Sequence, residues 1–170
     1  MTARSQRVSD LPLPGRATYG RGRAVRLAPA ELYAADTPIH LTICAERGEP
    51  FADERTARMV CDAVERSAAL LEYRLLGYCL MPDHLHIVLS PGDSQVPVSV
   101  FLRRFKSFTT NQYQKLTPAS RLWQYSARDR IRRAREGLRA LVEYVANNPV
   151  RRGLVACWED WPYTKVFVDL

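Results

Sequence analysis

The sequence of 170 residues lacks several features that would place it in a specialised class. No apolar run approaches the roughly 18 residues needed to span a bilayer, and the N-terminus has no apolar segment typical of secretory signals. There is no internal repeat and no C-x-x-C pair. We therefore expect a cytoplasmic protein without a membrane partner. The four cysteines are expected to be reduced core residues, namely Cys44, Cys61, Cys79 and Cys157.

Acidic residues are in the minority, because 18 Asp and Glu are set against 25 Lys and Arg, which gives a net charge of +7. The excess is uneven: residues 101–155 contain thirteen basic and only three acidic side chains. A stretch of this kind favours a phosphate-rich partner. The same composition is also typical of a solvated helix face, so charge alone leaves both interpretations open.

The chain divides by composition into two parts. Residues 1–36 mix Arg, Pro, Gly and Ala without hydrophobic periodicity, which predicts an irregular basic arm. Residues 37–170 have the composition of one globular domain. Four arginines in the arm would suit DNA, namely Arg16, Arg21, Arg23 and Arg26.

Hydrophobic patterns in residues 37–170 predict an α+β domain. Strands are expected at Ile39–Ala45, Tyr73–Met81, His84–Ser90 and Leu122–Tyr125. Helices are expected at Asp53–Leu71, from Val98 to Phe108, and from Leu138 to a stop at Asn148-Pro149. The order strand, helix, strand, strand, helix, strand predicts a ferredoxin-like split β-α-β core, in which helices cover one face of an antiparallel sheet.

Two of the three histidines, His84 and His86, stand two residues apart in a predicted strand. Side chains at this spacing share one face, so the imidazoles can chelate a divalent cation while Leu85 and Ile87 anchor the other face. The motif is short, and two histidines in a polar patch remain an alternative. A metallo-β-lactamase would need Asp and His just downstream, and a barrel amidohydrolase a longer chain. The third histidine, His40, is expected to be an ordinary strand residue.

Tyr144 and Asn148 lie four residues apart in the third predicted helix, so about 40° separates them around its axis and they share a face. That face flanks the apolar stripe. A helical tyrosine in this position is usually a half-buried packing residue, and Tyr113 in the second helix is a rival candidate for chemistry. The helix pattern alone therefore does not select a nucleophile.

Five segments occur in an order that resembles one known family. They are Met81-Pro82-Asp83-His84-Leu85-His86, Leu122-Trp123-Gln124, Arg128-Asp129 to Arg132, Glu143 to Val155 with its Tyr144 and Asn148-Pro149, and Asp160-Trp161-Pro162-Tyr163. Together they resemble the REP-associated tyrosine transposases, which are HUH single-strand endonucleases with one nucleophilic tyrosine. The likeness extends from about Ile39 to Tyr163, and the N-terminal arm lies outside it.

The resemblance implies a ferredoxin-like core with the H-x-H on a central strand and a C-terminal helix that carries the nucleophile. It implies that His84 and His86 bind Mg²⁺ or Mn²⁺, that Asn148 is the third ligand, and that Tyr144 attacks the phosphodiester. The implied reaction is cleavage and rejoining of single-stranded DNA at or near hairpins through a covalent 5′-phosphotyrosine intermediate.

Basic and aromatic residues would then hold the DNA. Core packing is the better interpretation of Trp123, and Tyr125 is a second candidate for base stacking. The protein would act as a monomer or a homodimer. The residues expected to bind the DNA backbone are Arg103, Arg104, Lys106, Arg128, Arg130, Arg132, Arg133, Arg135, Arg151 and Arg152.

Three other functions are compatible with these residues. One is a domesticated or catalytically silent relative that only binds hairpin DNA, although the intact histidines and tyrosine argue against decay. Another is a replication initiator or relaxase of the HUH superfamily, which usually carries additional domains. The last is a metal phosphodiesterase that forms no covalent intermediate.

Overall fold

The computed structural model describes residues 38–117, 121–125, 130–133 and 137–170, with the backbone alone for 130–133. The predicted arm, residues 1–36, lies outside them. Short 3-10 helices occur at Pro50–Ala52 and Trp158–Asp160. The other elements are β1 (Ile39–Cys44), α1 (Glu54–Leu70), β2 (Arg74–Met81), β3 (His84–Ser90), α2 (Val98–Leu116), β4 (Arg130–Arg133), α3 (Leu138–Ala146), α4 (Asn148–Arg151) and β5 (Thr164–Val166).

The strands form one antiparallel sheet in the order β4-β1-β3-β2-β5, with β3 at its centre. Because side chains alternate along a strand, Leu85, Ile87 and Leu89 of β3 point to one face, and His84 and His86 point to the other. We call these the apolar face and the histidine face. The sheet with its helices confirms the predicted α+β fold class.

Helices α1 and α2 cover the apolar face. Tyr78, which points to this face from β2, donates a hydrogen bond to Glu65 of α1 at 3.0 Å. Trp123 forms an isolated bridge with Ala45, at the end of β1, and its ring centroid lies 5.7 Å from that of Phe105 in α2. These contacts close the main hydrophobic core between the two helices and the sheet.

Helix α3 lies on the histidine face and approaches β2 at a glycine. A Cβ atom built on Gly77 would lie 3.2 Å from Cγ1 of Val142 and 3.2 Å from the carbonyl oxygen of Lys165. The helix also buries Val145 and Ala146. The absence of a side chain at Gly77 therefore permits the close approach that places α3 over the sheet.

Local sequence signals explain where two helices begin and end. The carboxylate of Asp53 accepts hydrogen bonds from the backbone N–H and the hydroxyl of Thr56, at 2.9 and 2.8 Å, and so caps α1. Helix α3 ends before Asn148, as predicted. The short α4 then begins at Asn148, with Pro149 in its first turn, where a missing N–H costs little.

Two predicted features of the chain are wrong. Leu122–Tyr125 is not a strand, because only the isolated bridge at Trp123 joins it to β1, and the fourth strand is instead β4. No disulfide joins the four cysteines, all of which are described, but Cys157 is exposed and Cys44 is only half-buried, so the prediction of four core cysteines holds for Cys61 and Cys79 alone.

Phe108, predicted on the buried stripe of α2, is also exposed, because the stripe of that helix runs through Phe101, Leu102, Phe105 and Thr109. In the described parts of the chain, no helix combines the length and apolar character needed to cross a membrane.

Candidate active site

His84 and His86 form a close pair in the middle of the histidine face. Their Nε2 atoms are 3.0 Å apart and their rings are nearly perpendicular, at 89°. Two ligands at right angles around an octahedral Mg²⁺, each about 2.1 Å from the ion, would be separated by about 3.0 Å. The pair therefore has the spacing that one shared cation requires.

Each imidazole is oriented through its other ring nitrogen. Nδ1 of His84 lies 2.5 Å from Oδ1 of Asp83. Nδ1 of His86 lies 3.0 Å from Nε2 of His40 and 3.2 Å from Oγ1 of Thr42, both on β1. Contacts of this kind fix the rings of metal-binding histidines and hold their second nitrogens toward the ion.

The charges around Asp83 keep its carboxyl group ionised. Burial by itself raises the pKa of Asp83, but the hydrogen bond and charge of His84, together with the charge of Arg152, outweigh burial and hold the pKa below its usual value. An ionised carboxylate can only accept hydrogen bonds, so His84 donates its Nδ1–H to Asp83.

His86 is held in its neutral form. Burial is the main cause that lowers its pKa well below the ordinary value, and the neighbouring His84, His40, Arg151 and Arg152 lower it further. A neutral imidazole binds a cation without first losing a proton.

Tyr144 lies at the edge of this cluster. Its side chain is 47% exposed, as expected for a residue that flanks the buried stripe of α3. The guanidinium carbon of Arg151 lies 4.5 Å from the centroid of the tyrosine ring, and the ring of His40 lies 6.4 Å away in an edge-on arrangement. The structure thus brings Tyr144 next to the histidine that contacts His86.

Asn148 lies one helical turn after Tyr144 and turns its amide nitrogen back to the helix. Nδ2 donates to the carbonyl oxygens of Tyr144 at 3.1 Å and Val145 at 3.0 Å. The amide oxygen is therefore the atom that could bind a cation. Among the described residues, no three His, Cys, Asp or Glu side chains are grouped as a metal site, so a third ligand from these parts of the chain would be of another type.

Tyr113 is not brought to the histidines. It lies on α2, which packs on the apolar face, and it is partly buried against the hydrophobic core. The sheet thus separates this rival candidate from His84 and His86.

The predicted DNA-binding residues whose side chains are described lie on both faces of the sheet. Arg151 and Arg152 lie close enough to influence His86, whereas Arg103 and Arg104 are exposed on α2, in the layer on the apolar face. Lys106 is half-buried, and its Nζ donates to a backbone carbonyl in the 121–125 segment at 2.7 Å. Arg128 and Arg135 lie outside the described residues, and Arg130, Arg132 and Arg133 belong to β4, where only the backbone is described.

The aromatic residues of the 121–125 segment differ in their surroundings. Trp123 is buried and its Nε1 donates to Thr109 at 2.7 Å, which confirms core packing. Tyr125 is 75% exposed, and its role in base stacking stays a prediction.

Sequence reasoning missed His40 and Thr42 as members of the site. Both stand on β1, and only the pairing of β1 with β3 places Thr42 opposite His86 and His40 one position further along the same face. The sequence does contain one relevant signal: polar His40 and Thr42 alternate with apolar Ile39 and Leu41, which indicates that the two polar side chains share a face of the strand.

Comparisons with known proteins agree with the fold and the motif order. The profile of the family described as Transposase IS200 like matches residues 34–147. A putative REP-associated tyrosine transposase from Haemophilus influenzae is 23% identical over 108 residues, which are 58% of this chain and 61% of the relative, so the chain spans less than two thirds of that protein.

Two solved structures share the fold. A REP-associated tyrosine transposase bound to a REP hairpin superimposes with a TM-score of 0.61 at 20% identity and covers 78% of each chain. A putative transposase from Deinococcus radiodurans gives a TM-score of 0.50 at 19% identity, covering 65% of this chain and 88% of that one. The match of the family profile to two thirds of the sequence shows that the chain belongs to the IS200-like transposase family.

Proposed function

We propose that this transposase is a metal-dependent single-stranded DNA endonuclease and strand transferase that acts at or near DNA hairpins. The observation that carries the proposal is the gathering of a cation-sized imidazole pair, Tyr144 and Arg151 on one face of the sheet. Hairpin DNA as the substrate is supported by the solved structure of a relative with a REP hairpin bound, and by the basic composition of residues 101–155.

The imidazole pair supplies the metal site in this proposal. Nε2 of His84 and of His86, with the amide oxygen of Asn148, would hold Mg²⁺ or Mn²⁺. Such a cation, when bound, polarises a phosphate oxygen and offsets the negative charge that develops during displacement. Asp83, His40 and Thr42 keep the two rings in place, so the ligand geometry is formed before DNA binds.

Tyr144 is the proposed nucleophile. Its hydroxyl oxygen forms a bond to phosphorus and loses its proton, while the bond from phosphorus to the 3′ oxygen breaks and that oxygen gains a proton. The products are a 5′-phosphotyrosine link and a free 3′-OH. Attack by a 3′-OH on the same phosphorus reverses the step and releases the tyrosine, so rejoining needs no nucleotide cofactor.

Arg151 and Arg152 are proposed to hold the phosphate next to Tyr144. Guanidinium groups bind phosphate through paired N–H donors, and both arginines follow α3 on the histidine face. The more distant Arg103 and Arg104, on α2, would contact DNA only where it extends around the domain. Their role is therefore binding affinity rather than chemistry.

The test is formation of a protein–DNA adduct that resists denaturation, with a hairpin oligonucleotide that has single-stranded flanks and Mn²⁺. Tyr144→Phe should abolish the adduct, because it removes the attacking oxygen and keeps the ring. Tyr113→Phe makes the same change on the other side of the sheet and should leave the adduct intact.

Each other outcome points to a different function. An adduct with Tyr144→Phe would show that the nucleophile is wrong. Cleavage by the unmodified protein without any adduct would indicate hydrolysis by a phosphodiesterase. Retained hairpin binding without cleavage would favour the catalytically silent DNA-binding protein.

A further inference from the structure

The Leu122-Trp123-Gln124 segment contains one residue that the core does not absorb. Leu122 and Trp123 are buried, whereas Gln124 is only half-buried. The bridge from Trp123 to Ala45 directs both of these side chains to the apolar face, where Trp123 contacts α2. Because side chains alternate along an extended segment, the side chain of Gln124 is directed to the histidine face.

The backbone of Gln124 is fixed from two sides. Its N–H donates to the carbonyl oxygen of Cys44 at 3.0 Å, and its own carbonyl oxygen accepts from Nζ of Lys106 at 2.7 Å. The preceding Trp123 donates from Nε1 to Thr109 at 2.7 Å. A side chain on a segment held in this way is presented in a defined position, as recognition of a single base requires.

The polar side of the sheet is ordered in three rows across β1 and β3, which are His40 with Val88, Thr42 with His86, and Cys44 with His84. Gln124 extends the third row beyond Cys44. Neighbouring strands are about 4.8 Å apart, so the backbones of Gln124 and His84 are separated by about 10 Å. Stacked nucleotides of one strand follow each other at about 3.4 Å, so this distance corresponds to at most about three nucleotides.

Tyr144 and Gln124 lie at opposite ends of this series of rows. The ring of Tyr144 is 6.4 Å from that of His40 in the first row, whereas Gln124 belongs to the third. An antiparallel strand rises about 3.4 Å per residue, so about 14 Å of β1 separates these two rows. The histidine pair lies between the two ends.

The chemistry of the proposed step then assigns a strand to Gln124. In an in-line displacement, the attacking and leaving oxygens are on opposite sides of phosphorus. If Tyr144 attacks from the first row, the leaving 3′ oxygen and the nucleotides attached to it lie toward the third row. Gln124 is therefore next to the strand that ends in the free 3′-OH.

We infer that Gln124 is a specificity-determining residue that recognises an adenine on this leaving strand, within about three nucleotides of the cleaved bond. The inference deepens the proposed function and rests on Tyr144 as its nucleophile. A primary amide carries an acceptor and a donor side by side. Its Oε1 accepts from the 6-amino group of adenine and its Nε2 donates to N7, which is the usual pairing of a glutamine with this base.

The first test measures binding without cleavage, in the full chain with Tyr144→Phe. A hairpin oligonucleotide with randomised single-stranded flanks is incubated with this protein, and the bound DNA is recovered and sequenced. We expect adenine to be preferred at one flank position by about 10- to 100-fold. Adding Gln124→Leu should remove the preference, as should Gln124→Glu, which keeps the size of the side chain and loses the donor.

Two controls separate base recognition from a structural role. Gln114→Leu makes the same change at an exposed position of α2, in the apolar-face layer, and should keep the preference for adenine. In the DNA, 7-deazaadenine at the preferred position removes N7. It should weaken binding to the protein that retains Gln124 and have no effect on the Gln124→Leu protein, whereas a merely structural role would weaken binding to every flank sequence alike.

The second test locates the preferred adenine relative to the cleaved bond, with the unmodified protein and Mn²⁺. The adenine should lie on the released fragment, within about three nucleotides of its 3′-OH. Its presence on the fragment linked to the protein would overturn the inference. So would the absence of any preference, a preference for another base, or a preference for adenine that persists in both Gln124 variants.

The two tests also separate this inference from the proposed function. If adenine is selected through Gln124 but no bond is cleaved, recognition of the base stands and the proposed reaction is wrong. If Tyr144 forms the adduct and both Gln124 variants keep the base preference of the unmodified protein, the reaction stands and the role of Gln124 is wrong.

Discussion

At the scale of single residues, Arg151 occupies an unusual position because it contacts the face of the proposed nucleophile. Its guanidinium lies over the ring of Tyr144, an interaction worth about 0.5–1 kcal/mol at an exposed site. In that position it can both hold the ring and meet the phosphate that the tyrosine is proposed to attack. One side chain thus links the orientation of the nucleophile to the binding of charge.

We expect Arg151→Gln to slow adduct formation by about 10- to 100-fold, because it removes a positive charge where negative charge develops. The measurement is the single-turnover rate with a hairpin oligonucleotide at saturating protein. Arg66→Gln, on the exposed surface of α1, removes the same charge far from the site and should leave the rate unchanged. Equal rates for the two variants would contradict this role of Arg151.

The residues of the site were predictable from sequence to different degrees. His84 and His86 follow from the strand period, and Tyr144 from the motif around it. His40 and Thr42 carry no local signal of comparable strength, because their contact with His86 depends on the pairing of two strands more than 40 residues apart. Arg151 lies in α4, beyond the predicted end of the third helix. The helix pattern therefore did not predict its contact with Tyr144.

At the scale of elements, the position of α3 depends on Gly77. A methyl group there would press on the backbone carbonyl of Lys165, which cannot swing away, and on Val142. We expect Gly77→Ala to lower the free energy of unfolding by about 1–3 kcal/mol, as overpacking does. It should also reduce adduct formation, because α3 carries Tyr144.

Urea unfolding and the adduct assay measure the two effects of Gly77→Ala. The comparison variant is Gly137→Ala, because no atom lies within 4 Å of its added Cβ. Gly137 is the N-cap of α3, where alanine costs about 1 kcal/mol, so Gly77→Ala should lower the free energy of unfolding by more than this variant does. A Gly77→Ala protein with unchanged stability and unchanged adduct formation would show that α3 can move away from β2 at no cost.

The start of α1 should make stability depend on pH. The backbone and side-chain hydrogen bonds from Thr56 lower the pKa of Asp53. A carboxyl group with a lowered pKa in the folded state stabilises the protein above its unfolded pKa of about 3.9, and this contribution disappears as the pH falls through the folded pKa.

Asp53→Ala should cost about 1 kcal/mol at neutral pH, the usual value of a helix N-cap. Asp53→Asn keeps a capping oxygen that does not titrate. Measured by urea unfolding, the unmodified protein should therefore be more stable than Asp53→Ala at neutral pH, and this difference should shrink in acid. The difference in stability between Asp53→Asn and Asp53→Ala should not change with pH. An advantage of Asp53 that is independent of pH would contradict the cap.

Most elements were predicted because they have a clear hydrophobic period, as in α1, α2 and the β2–β3 hairpin. The strand β4 was missed because its sequence, Arg-Ile-Arg-Arg, has the polar composition of an edge strand and no apolar alternation. The strand β5 has only three residues, and its position depends on pairing with β2. Both are placed by long-range contacts rather than by local preference.

At the scale of the whole molecule, the two faces of the sheet serve different purposes. The apolar face forms the main core with α1 and α2, and the histidine face carries the candidate site next to α3. The C-terminal segment forms hydrogen bonds with β2 on the side away from β3. Nε1 of Trp161 donates to the carbonyl of Leu80 at 2.8 Å, and the N–H of Leu80 donates to the carbonyl of Tyr163 at 2.9 Å. The Asp-Trp-Pro-Tyr motif is therefore held to β2 by these two hydrogen bonds.

The proximity of Tyr144 to His40 within one chain has a consequence for complementation between subunits. If the nucleophile and the histidines of one molecule work together, a mixture of Tyr144→Phe and His84→Ala proteins contains no complete site. We expect such a mixture to form no adduct at any ratio of the two variants. An active mixture would show that helices carrying Tyr144 are exchanged between partner molecules, and that each site is shared by two chains.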